Sequence, residues 1–422
     1  MDYLLNKKQE GLQKIARMTL EKECPESVVR EAREGDEGYS PELWKKIAKL
    51  GWLGLAFPEQ YGGSGRGLLD LAVLYEEMGR AVCPSPHLST VVLSGLTILN
   101  AGSERQKKAF LPKIASGELI VSLALSEPKS AWDGNSMDPS GITIKAVPDG
   151  KTYIINGTKL LVYDAHVADF ILCVARTKAG GKNGDGITLF LIDAKSPGIE
   201  CTPLKTTAYD KPCEVVFKKV KVPQASIIGK VDKGWAPLAK VLQIGAVMVC
   251  AQMVGSSQKA LELAVDHAKT RIQFDMPIGV HQYVQGHCVD VLWYSETSRW
   301  LTYQAAWRLS EGMPCDMEVA MAKAWTNEAH EKACWHAHQV LAGVGYTSQK
   351  GAMSLYSMKG KSLQHYLGET GYCLEKVAEE MEKWPTPEEP RGKPLGHWGT
   401  PIEDQTPAWE PWRKLREGKK TW

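Results

Sequence analysis

The hydrophobic period of this chain changes twice, and each change restricts what the segment can become. Up to about residue 118 apolar side chains recur at helical spacing: Leu43, Trp44, Ile47 and Leu50 follow Ser40-Pro41, an N-cap with proline at the first helical position. Ser103-Glu104-Arg105-Gln106 is a capping box and predicts a helix that ends near Gly117, while Tyr61-Gly62-Gly63-Ser64-Gly65 reads as loop. From about residue 119 the pattern is extended. Val121-Ser122-Leu123-Ala124-Leu125, Ile142-Thr143-Ile144-Lys145-Ala146, Thr152-Tyr153-Ile154-Ile155, Phe170-Ile171-Leu172-Cys173-Val174-Ala175, Ile187-Thr188-Leu189-Phe190-Leu191-Ile192 and Glu214-Val215-Val216-Phe217 read as strands. Asp149-Gly150 is a hairpin turn between two of them. Beyond Gly234 the strand signals stop and helical patterns run to about Trp384, broken near Gly279, Gly312-Met313-Pro314 and Gly343-Val344-Gly345. A period of 3.6 cannot sit as a strand, nor a period of 2 as a helix, so the order must be helices, sheet, helices.

At 422 residues the chain exceeds what one hydrophobic core usually holds. The expected division is a helical domain over 1–118, a β domain over 119–230, a helical bundle over 231–384 and an extended arm over 385–422. That arm is rich in Pro, Gly and charge, with Trp398, Trp409, Trp412 and Trp422 spread along it. A net charge of +2 lacks the basic excess of a phosphate-backbone binder, which argues against nucleic acid. Residues 1–8 show no apolar leader core, and the apolar run 241–255, interrupted by Gln243 and Gln252, is too short to span a bilayer. The expectation is a cytoplasmic protein without a membrane span. Ten cysteines without a CxxC pair read as reduced thiols. His330, His336 and His338 are not spaced to share one helical face, and no metal is predicted.

Several motifs recur in an order that resembles one family. Gly51-Trp52-Leu53-Gly54-Leu55-Ala56-Phe57-Pro58-Glu59-Gln60-Tyr61-Gly62-Gly63, Glu76-Glu77-Met78-Gly79-Arg80, Ala124-Leu125-Ser126-Glu127-Pro128, Asn156-Gly157-Thr158-Lys159 with Ala168-Asp169, and Val220-Lys221-Val222-Pro223 come first. Arg271-Ile272-Gln273-Phe274 with Gln282, then Gln339-Val340-Leu341-Ala342-Gly343-Val344-Gly345-Tyr346, follow. Together they resemble the acyl-CoA dehydrogenase family over roughly residues 1–384. The resemblance implies an α+β fold with an N-terminal helical domain, a middle β-barrel-like domain and a C-terminal four-helix bundle. It also implies FAD. Leu125, Ser126, Leu161 and the backbone around Val162 and Tyr163 would line the ring, and Arg271 would pair with the pyrophosphate, for which a guanidinium fork is well shaped. Gln273, Phe274, Gln282, Gln339 and Gly343 would complete the dinucleotide site across a subunit interface, which implies a homotetramer or heterotetramer. Two positions depart from the family: Leu161 replaces the usual aromatic, and Tyr163 stands where a Thr or Ser usually donates near flavin N5.

Such enzymes remove an α-proton from a thioester while the β-hydrogen leaves as hydride, so a carboxylate base and donors for the thioester oxygen are required. By resemblance the base belongs at Leu367, in Tyr366-Leu367-Gly368, or in a minority of the family at Gly245. Neither is acidic. The backbone N–H of Leu367 can still polarise the thioester, and the base candidates are Glu369, Asp133 and His87. The function implied is FAD-dependent α,β-dehydrogenation of an atypical acyl-CoA, whether cyclic, branched or aromatic, with electrons passed to electron-transfer flavoprotein. The alternative is a lyase on the same fold, or a non-catalytic subunit of a heteromeric acyl-CoA dehydrogenase.

Overall fold

The computed structural model describes residues 5–132, 137–178, 184–347 and 352–383. Those up to Val377 pack as one compact unit. It opens with α1 (Lys7–Glu23), α2 (Glu26–Glu34), α3 (Pro41–Lys49) and α4 (Leu68–Arg80), then a π-helical stretch, Leu88–Gly95, that runs into α5 (Leu96–Ala101), and α6 (Glu104–Ala115). The expected caps are present. Ser40 Oγ accepts the Leu43 N–H at 3.2 Å, and Ser103 and Gln106 form the reciprocal capping box. π-Helical turns are rare and concentrate at functional sites. This one borders the cavity described below.

The middle region contains β1 (Val121–Ala124), α7 (Pro128–Trp132), β2 (Lys145–Asp149), β3 (Thr152–Tyr163), β4 (Phe170–Arg176), β5 (Ile187–Asp193), β6 (Ile199–Pro203), β7 (Pro212–Pro223) and β8 (Ile227–Ile228). They form one sheet in the order β6-β7-β3-β2-β4-β5-β8, with β1 parallel to β4. The β2–β3 hairpin turns where the sequence places it, with Asp149 opposite Thr152 and Gly150 at φ +62°. Residues 142–144, expected in a strand, lie outside it, because the N–H groups of Thr143 and Ile144 are taken by the Glu127 carboxylate. Along β4 and β5 alternate side chains enter two cores. Ile171, Cys173, Phe190 and Ile192 pack within the sheet's own core, while Leu172, Val174, Leu189 and Leu191 join the main core. Burial on both faces explains why these strands read as unbroken apolar runs.

The last region comprises α8 (Trp235–Thr270), the small hairpin β9 (Ile272–Gln273) and β10 (Met276–Pro277), α9 (Gln282–Ser310), α10 (Asp316–Leu341), α11 (Gly343–Tyr346), α12 (Met353–His365) and α13 (Thr370–Glu382). α8 extends beyond the apolar run seen in the sequence and is long and apolar enough, at mean hydropathy 1.6, to cross a membrane by length and composition. In this fold 78% of that window is buried against protein, as expected of a core helix. It crosses α4 at backbone contact: a methyl group at Gly79 would collide with the Gln252 carbonyl, and one at Gly255 with that of Glu76. The same Glu76 carboxylate, buried in α4, accepts from Tyr303 Oη at 2.7 Å and pairs with Arg299, both on α9.

Candidate active site

The segment leaving β1 is held against β3 by a buried ion pair. Lys159, with no exposed surface, donates to Glu127 Oε1 at 2.9 Å and to the Leu125 carbonyl at 2.8 Å. The Ser126 carbonyl accepts the Leu160 N–H at 2.9 Å. Burial alone would raise the Glu127 carboxyl; the Lys159 ammonium, the Thr143 hydroxyl and the Ile144 N–H outweigh it and hold the group below the usual range. Burial also lowers the Lys159 ammonium, with Cys173 and Glu127 offsetting part of the effect. This network fixes Leu125 and Ser126 beside the irregular part of β3, where the register slips between Lys159 and Val162. Leu161, at φ +55°, turns outward there and is 39% exposed, while Val162 is buried.

A second buried network fixes the turn after α12. Lys323 donates to Asn327 Oδ1 at 2.6 Å and to the carbonyls of Leu363 and Gln364 at 3.1 Å each, satisfying the otherwise orphaned helix end. Burial pushes its pKa down to about 8. Asn327 in turn donates to the Gly368 carbonyl at 3.2 Å. Within the turn Leu367 sits at φ +56° and Gly368 at φ +118°, left-handed values that strain the leucine. A Cβ at Gly245 would lie 2.7 Å from Leu367 Cδ1 and equally close to Leu93 Cδ2. The two positions singled out for the base therefore meet in space, and both are apolar. The Leu367 residue is buried, and its N–H finds no acceptor among the described residues.

Glu369 stands apart from the cavity described below. Its carboxylate is 44% exposed, bonds His365 Nδ1 at 2.9 Å, and does not line the cavity, because the two left-handed residues before it direct it outward. His87 does line the cavity, yet both ring nitrogens are engaged. Nε2 donates to the Trp52 carbonyl at 3.3 Å, so in the neutral ring Nδ1 accepts from Tyr75 Oη at 2.7 Å. Burial lowers its pKa to about 4, leaving it neutral and occupied. Asp133 lies outside the described residues.

The cavity itself, about 90 Å³, opens between α2, the π-helical stretch, the end of β3, the loop before β7, and α12. Tyr163 and Tyr366 pack ring to ring in its wall with centroids 4.4 Å apart, and Tyr163 Oη bonds Ser362 Oγ at 3.1 Å. Two carboxylates face in. Asp164, at φ +61°, accepts from Ser89 Oγ at 2.5 Å; burial pushes it up to about 6, against the Ser89 bond and the His166 and Lys359 charges. Asp210 accepts from Lys359 Nζ at 2.6 Å.

The remaining expected cofactor residues lie on other elements, all exposed. Arg271 caps α8, Gln273 and Phe274 form the β9–β10 hairpin, Gln282 opens α9, Gln339 closes α10 and Gly343 opens α11. No ion pair among the described residues engages Arg271. Phe274 is 85% exposed at φ +52°, an arrangement that leaves an aromatic ring in water unless something covers it. The three histidines weighed for a metal separate: His330 bonds Ser256, and His338 bonds Ser357 and stacks on Tyr346. His336 instead meets His287, Nδ1 to Nδ1 at 2.8 Å, with Asp290 at 3.3 Å. The ligand atoms of those three lie within 4.8 Å of one another, a grouping that the sequence spacing did not suggest.

Family models match nearly the whole chain: the acyl-CoA dehydrogenase N-terminal domain over residues 6–118, the middle domain over 122–220 and the C-terminal domain over 232–382. A probable acyl-CoA dehydrogenase of Bacillus subtilis, YngJ, is 31% identical, covering 83% of this chain and 92% of that protein. The caffeyl-CoA reductase–Etf complex subunit CarC of Acetobacterium woodii is 30% identical over 82% of this chain and 90% of its own. The structure of butyryl-CoA dehydrogenase from Megasphaera elsdenii superposes with a TM-score of 0.83 at 28% identity, covering 91% of this chain and all of that one. The chain belongs to the acyl-CoA dehydrogenase family. It is accordingly an oxidoreductase of the CH–CH class on a flavoprotein fold. Four residues of the cavity, Asp164, Ser89, Asp210 and Lys359, were not singled out from the sequence. The available signal was Asp164 itself, an acid directly after the atypical Tyr163 at the end of an apolar strand.

Proposed function

We propose that this chain is an FAD-dependent acyl-CoA dehydrogenase that desaturates an atypical acyl-CoA, with Asp164 as its proton-transferring carboxylate. What supports this is a carboxylate in the cavity wall that burial raises and that forms no ion pair among the described residues, together with a buried Leu367 whose N–H has no acceptor among them. The N–H would hold the thioester oxygen as negative charge develops on it, and Asp164 would take the α-proton. The chain's residues fit FAD: Leu125, Ser126, Leu161, Val162 and Tyr163 would face the ring, and the unpaired Arg271 guanidinium would hold the pyrophosphate with Gln273, Phe274, Gln282, Gln339 and Gly343. FAD, when bound, accepts the β-hydrogen as hydride. That Arg271, Gln273, Phe274, Gln282, Gln339 and Gly343 lie exposed on several elements supports a site completed by a second copy. So does the apolar surface of α9 and α10, with Trp293 at 52% and Trp335 at 51% exposure, and a homotetramer is the assembly proposed. Electrons would pass to electron-transfer flavoprotein, a reading supported by the Etf-complex subunit among the relatives.

The apolar contact between Leu367 and the Gly245 position favours a second reading, a lyase on this fold or a non-catalytic subunit of a heteromeric dehydrogenase. One experiment separates them. The full chain loaded with FAD is mixed anaerobically with a panel of CoA thioesters, and bleaching of the oxidised flavin band is followed. Reduction by any thioester supports the dehydrogenase; FAD bound but reduced by none, alone or with a co-encoded partner chain, sinks it.

A further inference from the structure

The cavity is not the hydrocarbon slot that a plain alkyl chain would require. Asp210 uses one carboxylate oxygen for Lys359, and the other, Oδ2, is buried without any hydrogen-bond partner. Asp164 uses Oδ2 for Ser89. Buried carboxylate oxygens are normally satisfied, because stripping water from an anion without replacing its hydrogen bonds is costly. A saturated chain would strand Asp210 Oδ2 against methylenes.

Two observations narrow where the missing donor comes from. Lys359 is already committed to Asp210, and the neighbouring Arg33 guanidinium is turned to the Ala208 carbonyl, which it bonds at 2.9 Å through Nη2. The Tyr163 and Ser362 hydroxyls bond each other. None of these groups donates to Asp210 Oδ2, and the vacant acceptor is left for the occupant of the cavity. Lys359 beside it also disfavours a second cation at that point, which makes a neutral hydroxyl a better partner than an ammonium.

We propose that the acyl group taken by this chain carries a hydroxyl, aliphatic or phenolic, whose O–H is accepted by Asp210 Oδ2. This rests on reading the cavity as the acyl site. The test is isothermal titration calorimetry of the FAD-loaded full chain with pairs of CoA thioesters of equal length, one hydroxylated and one plain alkyl, in wild type and in Asp210→Leu. A hydrogen bond to a charged acceptor is expected to give at least about a tenfold tighter Kd for the hydroxylated member in wild type. Asp210→Leu is expected to erase or invert that ratio. Equal or tighter binding of the alkyl thioester by wild type overturns the inference, as does failure to bind either member. A wild-type preference undiminished in Asp210→Leu overturns the assignment to Asp210. The wild-type comparison stands even where the variant does not fold. Flavin reduction is read separately: a retained preference with no reduction removes the dehydrogenase reading alone, and reduction without preference removes this inference alone.

Discussion

Glu127 and Asp164 are carboxylates on neighbouring elements of one domain, and their surroundings differ in kind. Glu127 meets a lysine, a hydroxyl and two backbone N–H groups, and every partner is local protein. Asp164 meets one serine and an opening. Burial pushes both upward, but only at Glu127 do the partners reverse the push. A buried acid with a full set of partners holds structure; one left short of them near pH 6 holds a proton that can move.

Substitution should break the two carboxylates differently. Asp164→Asn is expected to slow flavin reduction by the best thioester about 10²- to 10⁴-fold, with FAD content and thermal midpoint near wild type. Its pH dependence follows: the rate in wild type should rise with pH through about 6, as the carboxyl ionises, and the Asn variant should lack that limb. The stability contribution has the opposite sign. The folded pKa lies above the unfolded one, so the protonated form favours folding and this contribution fades as pH rises from about 4 to about 6.

Glu127→Gln, by contrast, leaves Lys159 buried without its anion and is expected to cost about 3–5 kcal/mol in denaturant unfolding, the usual penalty for breaking a buried pair. Near-normal stability there would remove the contrast. The smallest effects sharpen it. Thr143→Val removes one donor to Glu127 and should cost about 1 kcal/mol without moving the activity limb. Ser89→Ala removes the bond that lowers Asp164 and should move the limb to higher pH, with little loss of stability.

What the sequence made legible follows range of interaction. Caps, hairpin turn and the two changes of period depend on residues a few positions apart, and Ser40, Ser103 and Asp149-Gly150 behave accordingly. The strand expected from Ile142 starts late because Glu127, distant in sequence, claims its first N–H groups. The missing base was visible at Leu367 and Gly245, and their meeting in space agrees with both being positions for one chemical role. Glu369 stands apart from the cavity because proximity in sequence does not survive two consecutive left-handed residues. Asp210 carried no local mark, and Asp164 only its place directly after Tyr163: what distinguishes them is which partners they meet, and that is a property of the folded cavity.

The crossing of α4 and α8 has a consequence for how this enzyme could diversify. Met78 and Gln252 both line the cavity, and each sits beside the glycine contact that lets the two helix backbones touch. With no side chain between them to shrink, that wall works as a fixed stop. New substrate scope is therefore open to evolution, or to an engineer, through the loop that carries Ala208, Tyr209 and Asp210, where residues can be exchanged without disturbing the helical frame.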